Sequence, residues 1–351
     1  INIIYGDNAQ GKTNILEAIF VSSLGKSFRT NKEKELIKIG EIFSKIEVEF
    51  SKSDRDGKIK IEISDKKNIL INGVKIKKLS ELLGIIHIVI FTPDDINILK
   101  NGPAQRRRFL DIAISQLKPS YARMLSDYVR SIKQRNALLK NFGETSYEYD
   151  MLDCWDESIS NLGGKITAER LKYVDALTES AIEIYDGISN GREILEVKYN
   201  QVGREDRFEE REIISALSDA LKKSRENDIK NRFTSKGPHR DDFCFVVGDI
   251  DIRKFGSQGQ QRTAALSLKL SEIELVKRIT KDTPILLLDD VLSELDSNRQ
   301  NYLLNSIGDI QTIITCTGLE EFVNNRFEIN RVFKVTDGVV TIPEGAIERN
   351  S

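Results

Sequence analysis

Eight residues, Gly6-Asp7-Asn8-Ala9-Gln10-Gly11-Lys12-Thr13, restrict the possible fold more than any other feature of the chain. A G-x-x-x-x-G-K-T run curls its backbone around phosphate, because its glycines permit the tight turn and the amide hydrogens then point inward. Such a loop needs a buried strand before it and a helix after it. Both are present in the pattern. Ile1–Tyr5 is apolar and β-branched, and Thr13–Ile19 continues as a helix whose positive end faces the anion. Lys12 would charge-pair with the β- and γ-phosphates, and the Thr13 hydroxyl would ligate Mg2+. ATP and Mg2+ are therefore the expected cofactors. The plainer alternative is a chance glycine turn ahead of a helix.

Far along the chain, Ile285-Leu286-Leu287-Leu288 closes on two carboxylates, Asp289 and Asp290. The pair could be a solvated turn after a core strand. A phosphate-loop fold, however, needs an acid at the end of a parallel strand to hold Mg2+, and Asp289 has that place. Asp290 stands where a base or water-positioning group would sit. ATP-binding-cassette proteins usually carry Glu there, and the shorter Asp suits slow hydrolysis. Ser293-Glu294-Leu295-Asp296 follows and resembles the D-loop that crosses to a partner head. Upstream lies Phe255-Gly256-Ser257-Gln258-Gly259-Gln260-Gln261. Taken alone it is a flexible turn with Ser257 as an ordinary N-cap. Its place, opening a helix with the apolar face Ala265, Leu268, Leu275, Val276 and Ile279 and preceding the carboxylate strand, is that of a cassette signature. In that class Ser257, Gly259 and Gln260 would meet nucleotide held by a second copy of the chain.

Several stretches together resemble the RecF family of bacterial recombination mediators, relatives of SMC-type heads. They are Gly6–Thr13, Gly25-Lys26-Ser27-Phe28-Arg29-Thr30, Phe91-Thr92-Pro93-Asp94-Asp95, Arg106-Arg107-Arg108-Phe109-Leu110-Asp111, Lys236-Gly237-Pro238-His239-Arg240-Asp241-Asp242, Ser257–Arg262 and Leu286–Asp296. The Gly-Pro-His-Arg-Asp-Asp and Arg-Arg-Arg-Phe-Leu-Asp stretches are far more specific than the phosphate loop. The resemblance covers nearly the whole chain. It implies an α/β fold: an ABC/SMC-type ATPase head, residues 1–102 and 235–351, with an inserted, mainly helical second lobe, residues 103–234.

The same resemblance implies an ATP-dependent homodimer that clamps double-stranded DNA near single-strand gaps. It would promote RecA loading with RecO and RecR, and slow hydrolysis would reset the dimer. A cytoplasmic, nucleoid-associated location follows. An SMC-type structural or nuclease-associated head is the alternative reading. Phe28 departs from the family pattern, which more often has His. Residue 1 is already in the strand feeding the loop, whereas such heads usually carry an earlier strand, so missing upstream residues are expected. Arg29 resembles an arginine that SMC-like heads place near nucleotide, or is a surface loop residue. His239 and Arg240 could contact DNA or stabilise the junction between lobes.

Composition sets limits on these readings. With 39% apolar residues in 351 there is material for a core, and no apolar run approaches the roughly 18 residues of a membrane span. The three cysteines are isolated and there are only two histidines, which argues against a disulfide framework or a His-based metal centre. A net charge of −2 opposes a uniformly basic DNA-binding surface, so DNA contact would need charge segregated on one face.

The pattern also predicts strands over Phe43–Phe50, Lys58–Ile63, Ile85–Phe91 and Ile310–Thr315, and a hairpin at Asn72-Gly73. Strands are expected on both sides of Gly248, over Asp242–Val247 and Asp249–Phe255, and around Asp337-Gly338. Tyr121, Leu125, Tyr128, Ile132 and Leu139 mark an amphipathic helix. Leu152, Trp155, Ile159, Leu162, Ile166 and Tyr173 form a short coiled-coil-like seam after a break at Asn141–Glu144. No Gln stands near the end of the Ile85–Phe91 strand to serve as a Mg2+ sensor.

Overall fold

In the computed structural model, residues 1–52, 56–96, 98–143, 147–189, 191, 193–200, 209–318 and 329–343 are described. Their elements run, in order, β1 (Asn2–Tyr5), α1 (Lys12–Leu24), β2 (Ser44–Ser51), β3 (Asp56–Ile63), β4 (Lys67–Ile71), β5 (Val74–Lys75), β6 (Ile88–Phe91), α2 (Pro93–Ile96), α3 (Pro103–Leu117), α4 (Pro119–Lys140), α5 (Glu148–Ser189), β7 (Leu195–Asn200), α6 (Glu210–Asn231), β8 (Asp242–Val247), β9 (Ile250–Asp251), α7 (Ile252–Phe255), α8 (Gln258–Thr280), β10 (Ile285–Asp289), α9 (Ser297–Ser306), β11 (Thr312–Cys316), β12 (Arg331–Thr336) and β13 (Val339–Thr341). Two compact units divide them. One comprises Ile1–Asn97 with Ala265–Ser351, the other Ile98–Ala264.

The first unit is built on a six-stranded sheet in the order β13-β12-β1-β11-β10-β6. β1 runs parallel to β11 and β12, β10 runs parallel to β11 and β6, and β13 closes one edge as an antiparallel hairpin with β12. Leu286, Leu287 and Leu288 are all buried, as expected of a strand covered on both faces. On α1, Leu16, Phe20, Val21 and Leu24 are buried. The register sets Asp289 beside Thr315 and Tyr5 beside Cys316, so β1, β11 and β10 end together. The crevice outside the carboxyl ends of parallel strands is the usual ligand position in such sheets. A second, antiparallel sheet, β2-β3-β4-β5, buries Ile59, Ile61, Ile63 and Ile69. The tight turn at Asn72-Gly73 carries left-handed φ of 50° and 81° at its two residues, as a primed hairpin requires.

In the second unit α5 packs against both α4 and α6, with Leu152, Ile159, Ile166 and Tyr173 of the apolar seam buried and Trp155 and Leu162 half-buried. Gly164 lets α6 approach: a Cβ there would lie 2.9 Å from Ile214 Cα. The expected break before α5 is present through Gly143, and Glu144 lies outside the described residues. Two elements differ from the sequence reading. β7 pairs antiparallel with β8 along its length, a strand within what the sequence suggested was a helical stretch. Its alternation of buried and exposed residues in Leu-Glu-Val-Lys is the strand signal that was available. The segment after Gly248 is not one strand over Asp249–Phe255. Only Ile250 and Asp251 pair with β8, and Asp251 then caps a short helix, accepting the Arg253 N–H. Asp at the N-cap ends the strand because its carboxylate satisfies a helix amide instead.

Candidate nucleotide site

The phosphate loop leaves β1 at Gly6, where a Cβ would come within 2.3 Å of the Val335 carbonyl oxygen. Only glycine fits so close to β12. Gly11 adopts a left-handed φ of 100° as the N-cap of α1, with no side-chain cap and no acid in the first turn. The amino end of α1 therefore presents amides and a positive dipole end with no acidic side chain in its own first turn. Asp7, Asn8 and Ala9 are exposed, and Gln10 is half-buried. Lys12 is 8% exposed, and its Nζ donates to the carbonyls of Gly6 at 2.6 Å and Asp7 at 2.8 Å.

Three chain-distant residues meet at the ends of β10 and β11. Thr13 Oγ1 donates to Asp289 Oδ1 at 3.0 Å, and Thr315 Oγ1 donates to the same oxygen at 2.8 Å. The Asp290 N–H donates to Thr315 Oγ1 at 3.0 Å. Asp290 itself has φ of 53°, a left-handed backbone that Asp tolerates better than most residues. Burial, first, and then the neighbouring Asp289 and Glu294 carboxylates raise the Asp290 pKa, while Lys12 opposes them. A hydroxyl and a carboxylate held together at the mouth of a phosphate loop are hard oxygen donors, the kind Mg2+ takes.

Contacts that the motifs did not indicate support the loop. The Gly338 N–H donates to the Gln10 carbonyl at 3.1 Å, and the Asp337 N–H donates to Gln10 Oε1. The β12–β13 turn thus braces the loop from behind. Thr315 was equally unmarked, since its importance comes from β11 lying between β1 and β10. Arg29 Nη1 donates to Asn14 Oδ1 at 2.8 Å and pairs with Glu17 at 3.3 Å, so Arg29 sits beside the first turns of α1. Phe28 packs edge-on against Phe20, ring centroids 5.4 Å apart.

Ser257, Gly259 and Gln260 belong to the second unit. Ser257 is exposed at the start of α8 and closes a reciprocal capping box: its Oγ accepts the Gln260 N–H at 3.2 Å, and its own N–H donates to Gln260 Oε1 at 2.8 Å. Gln260 Nε2 also donates to Glu193 at 2.7 Å. The N-cap reading of Ser257 is therefore correct as local structure, and it leaves the amino end of α8 at the surface.

The Gly237–Asp242 stretch is mostly interior. His239 Nε2 donates to the Thr234 carbonyl at 3.1 Å, which leaves Nδ1 to accept from the Tyr128 hydroxyl at 2.6 Å. Burial, then the Arg240 and Arg107 charges, lower the His239 pKa to about 4, so the ring is neutral. A neutral imidazole bonded at both nitrogens packs within its own unit. Asp241 accepts from Tyr199 at 2.7 Å, Asp242 pairs with Arg106 and Arg253, and Arg240 alone is exposed, its guanidinium over Phe233.

A parallel sheet with a phosphate loop after β1, an acid pair after β10 and a signature-type turn opening α8 defines an ATPase of the ATP-binding-cassette class, with an SMC-type head. Residues 1–341 match the RecF/RecN/SMC N terminal domain. The chain belongs to the RecF family. It is 51% identical over 346 residues to the DNA replication and repair protein RecF of Lachnospira eligens, covering 97% of this chain and 92% of that one. It superposes with a TM-score of 0.90 on a solved structure of the recombination mediator protein RecF-ATPrS in the RecFOR pathway, at 40% identity, covering 97% of this chain and 91% of that one. The Smc head domain from Pyrococcus furiosus shares the fold alone, at TM-score 0.53 and 16% identity over 97% of this chain and 89% of that one. Among the described residues no helix is long and apolar enough to cross a membrane.

Proposed function

We propose that this chain is an ATP-operated DNA clamp that acts as a recombination mediator. The observation that carries the reading is the 3.0 Å bond between Thr13 and Asp289, which joins the phosphate loop to the end of β10. Gly6, Asp7, Asn8, Ala9, Gln10 and Gly11 wrap the phosphates, and Lys12 leaves its loop carbonyls to meet them. Thr13 and Asp289 hold Mg2+, which supplies charge neutralisation at the phosphates when bound. Asp290, with its raised pKa, accepts a proton from the attacking water or orients it.

Ser257, Gly259 and Gln260 of a second copy close over the γ-phosphate, so two copies sandwich two nucleotides. The head is read as residues 1–102 and 235–351 and the second lobe as 103–234, a functional division that differs from the two compact units, in which 235–264 belongs with the second. The closed homodimer holds double-stranded DNA at single-strand gaps, and hydrolysis releases it. The RecFOR pathway named for the solved relative supports RecO and RecR as partners, with RecA loaded downstream on strands coated by single-strand-binding protein. A cytoplasmic, nucleoid-associated place suits that work.

The test uses two variants that fail in different halves of a composite site. Ser257→Arg should bind ATP as a monomer yet fail to dimerise, and Lys12→Ala should lose ATP affinity with its fold intact. Mixed, they give dimers with one site carrying both defects and one carrying neither. ATP hydrolysis should then partly return. Full ATP-dependent dimerisation of Ser257→Arg alone would refute action across the dimer.

A further inference from the structure

Both acids at the end of β10 depend on one hydroxyl that no motif marks. Thr315 Oγ1 lies 2.8 Å from Asp289 Oδ1 and 3.0 Å from the Asp290 amide nitrogen. A hydroxyl has one proton and two lone pairs. Its proton has two acceptors in reach, the Asp289 carboxylate and, at 3.4 Å, the Leu288 carbonyl. The shorter bond to a charged acceptor is the stronger, so the proton goes to Asp289. A lone pair then accepts the Asp290 N–H. Thr315 is 2% exposed, so water does not replace either bond.

The two bonds do different things. The first fixes the rotation of the Asp289 carboxylate, because Oδ1 also receives the Thr13 hydroxyl and is held from two sides. The second anchors a backbone that needs anchoring. Asp290 has φ of 53°, and a non-glycine residue stays there only where its surroundings impose it. The turn aims the Asp290 side chain, so releasing its N–H would let the side chain drift. Parallel pairing sets Asp289 beside Thr315, which is why one side chain reaches both residues.

We infer that Thr315 is a positioning residue that couples the Mg2+-binding and hydrolytic carboxylates, setting the rotamer of Asp289 and the backbone of Asp290 through one hydroxyl. The inference rests on the proposed roles of those two acids. Valine is close to threonine in shape and lacks the hydroxyl, so Thr315→Val removes both bonds and leaves the Asp290 N–H without this acceptor. Thr315→Ser keeps the hydroxyl.

The experiment compares the parent, Thr315→Val, Thr315→Ser and Asp289→Asn by two readouts besides turnover. One is a Mg2+ titration of fluorescent ATP-analogue binding. The other is hydrogen exchange of the Asp290 amide. Thr315→Val should need about tenfold to a hundredfold more Mg2+ and exchange the Asp290 amide faster, with kcat lowered at saturating Mg2+ and KM little changed. Thr315→Ser should behave as the parent. A Thr315→Val protein within about twofold of the parent in Mg2+ requirement, beside an impaired Asp289→Asn, would overturn the positioning role and spare the reading of the site. An unimpaired Asp289→Asn would overturn both. Thr315→Ser as defective as Thr315→Val would show that shape and not the hydroxyl matters, and would also overturn the inference. If Thr315→Val does not fold, Thr315→Ala carries the same comparison.

Discussion

Around Asp289 and around Arg135 the chain uses the same kinds of side chain to opposite ends. Arg135 is fully buried in the second unit. Its Nε donates to Asp156 at 2.7 Å, and its Nη1 donates to Asp228 at 2.8 Å and Thr234 at 3.0 Å. Arg170 likewise reaches Asp111, Tyr121 and the Pro238 carbonyl. Each charge there is answered by another group of the same unit. At the strand ends of the first unit Asp289 Oδ1 is met by the Thr13 and Thr315 hydroxyls, and Asp290 is half-buried. Charges that meet opposite charges inside a core fix a shape. Acids met by hydroxyls at a sheet end keep oxygens that a ligand or cation can take.

That contrast can be broken by experiment. The largest effect is expected at Arg135→Ala, which leaves Asp156 and Asp228 buried with less compensation. Stability should fall by about 3–5 kcal/mol in denaturant titration, while ATP binding by the folded fraction stays as in the parent. A loss below about 1 kcal/mol would mean that the pair is not holding the second unit together.

The next prediction reverses the readouts. Asp290→Asn should leave the denaturation midpoint almost unmoved and slow hydrolysis by about a hundredfold or more. Mg2+-ATP should still bind, because Asp289 remains, and ATP-formed dimers should persist in sedimentation. Dimers that fall apart at the parental rate would remove Asp290 from the hydrolytic role.

The third, and smallest, sharpens the place of His239. Its folded pKa of about 4 lies below the ordinary histidine value of 6.5, so the unfolded chain binds the extra proton first. The stabilisation is complete above pH 6.5 and is lost as pH falls towards 4. By pH 5 the loss from this residue is about 2 kcal/mol. Replacing it with Gln should flatten the stability profile in that window. An unchanged slope would place the acid sensitivity on carboxylates instead.

Sequence made the loop and its strand legible because their chemistry is local. Gly6–Thr13 follows β1, and the Leu-Leu-Leu-Asp run is β10, as periodicity and glycine spacing indicated. Asn72-Gly73 declared its turn for the same reason. What was not legible depends on strand order. Thr315 gains its role because β11 lies between β1 and β10, and Gln10 gains a brace because the Asp337-Gly338 turn returns beside it. No spacing along the chain contains that information. His239 and Arg240 are adjacent in sequence, and burial separates them into a neutral packing ring and an exposed cation. β7 was hidden by its helical neighbours, although its alternation was readable.

The position of β1 has a consequence for how the protein is made. Ile3 pairs with Ile314 on one side and Val332 on the other, so this strand leaves the ribosome about 310 residues before either neighbour exists. At roughly 5–20 residues per second that is a wait on the order of 15–60 s. Through it an apolar strand and its glycine loop have no native place to rest and are open to wrong pairing. Nothing synthesised before β11 and β12 can complete the site, so the capacity to hold ATP would report that translation has reached the far edge of the sheet.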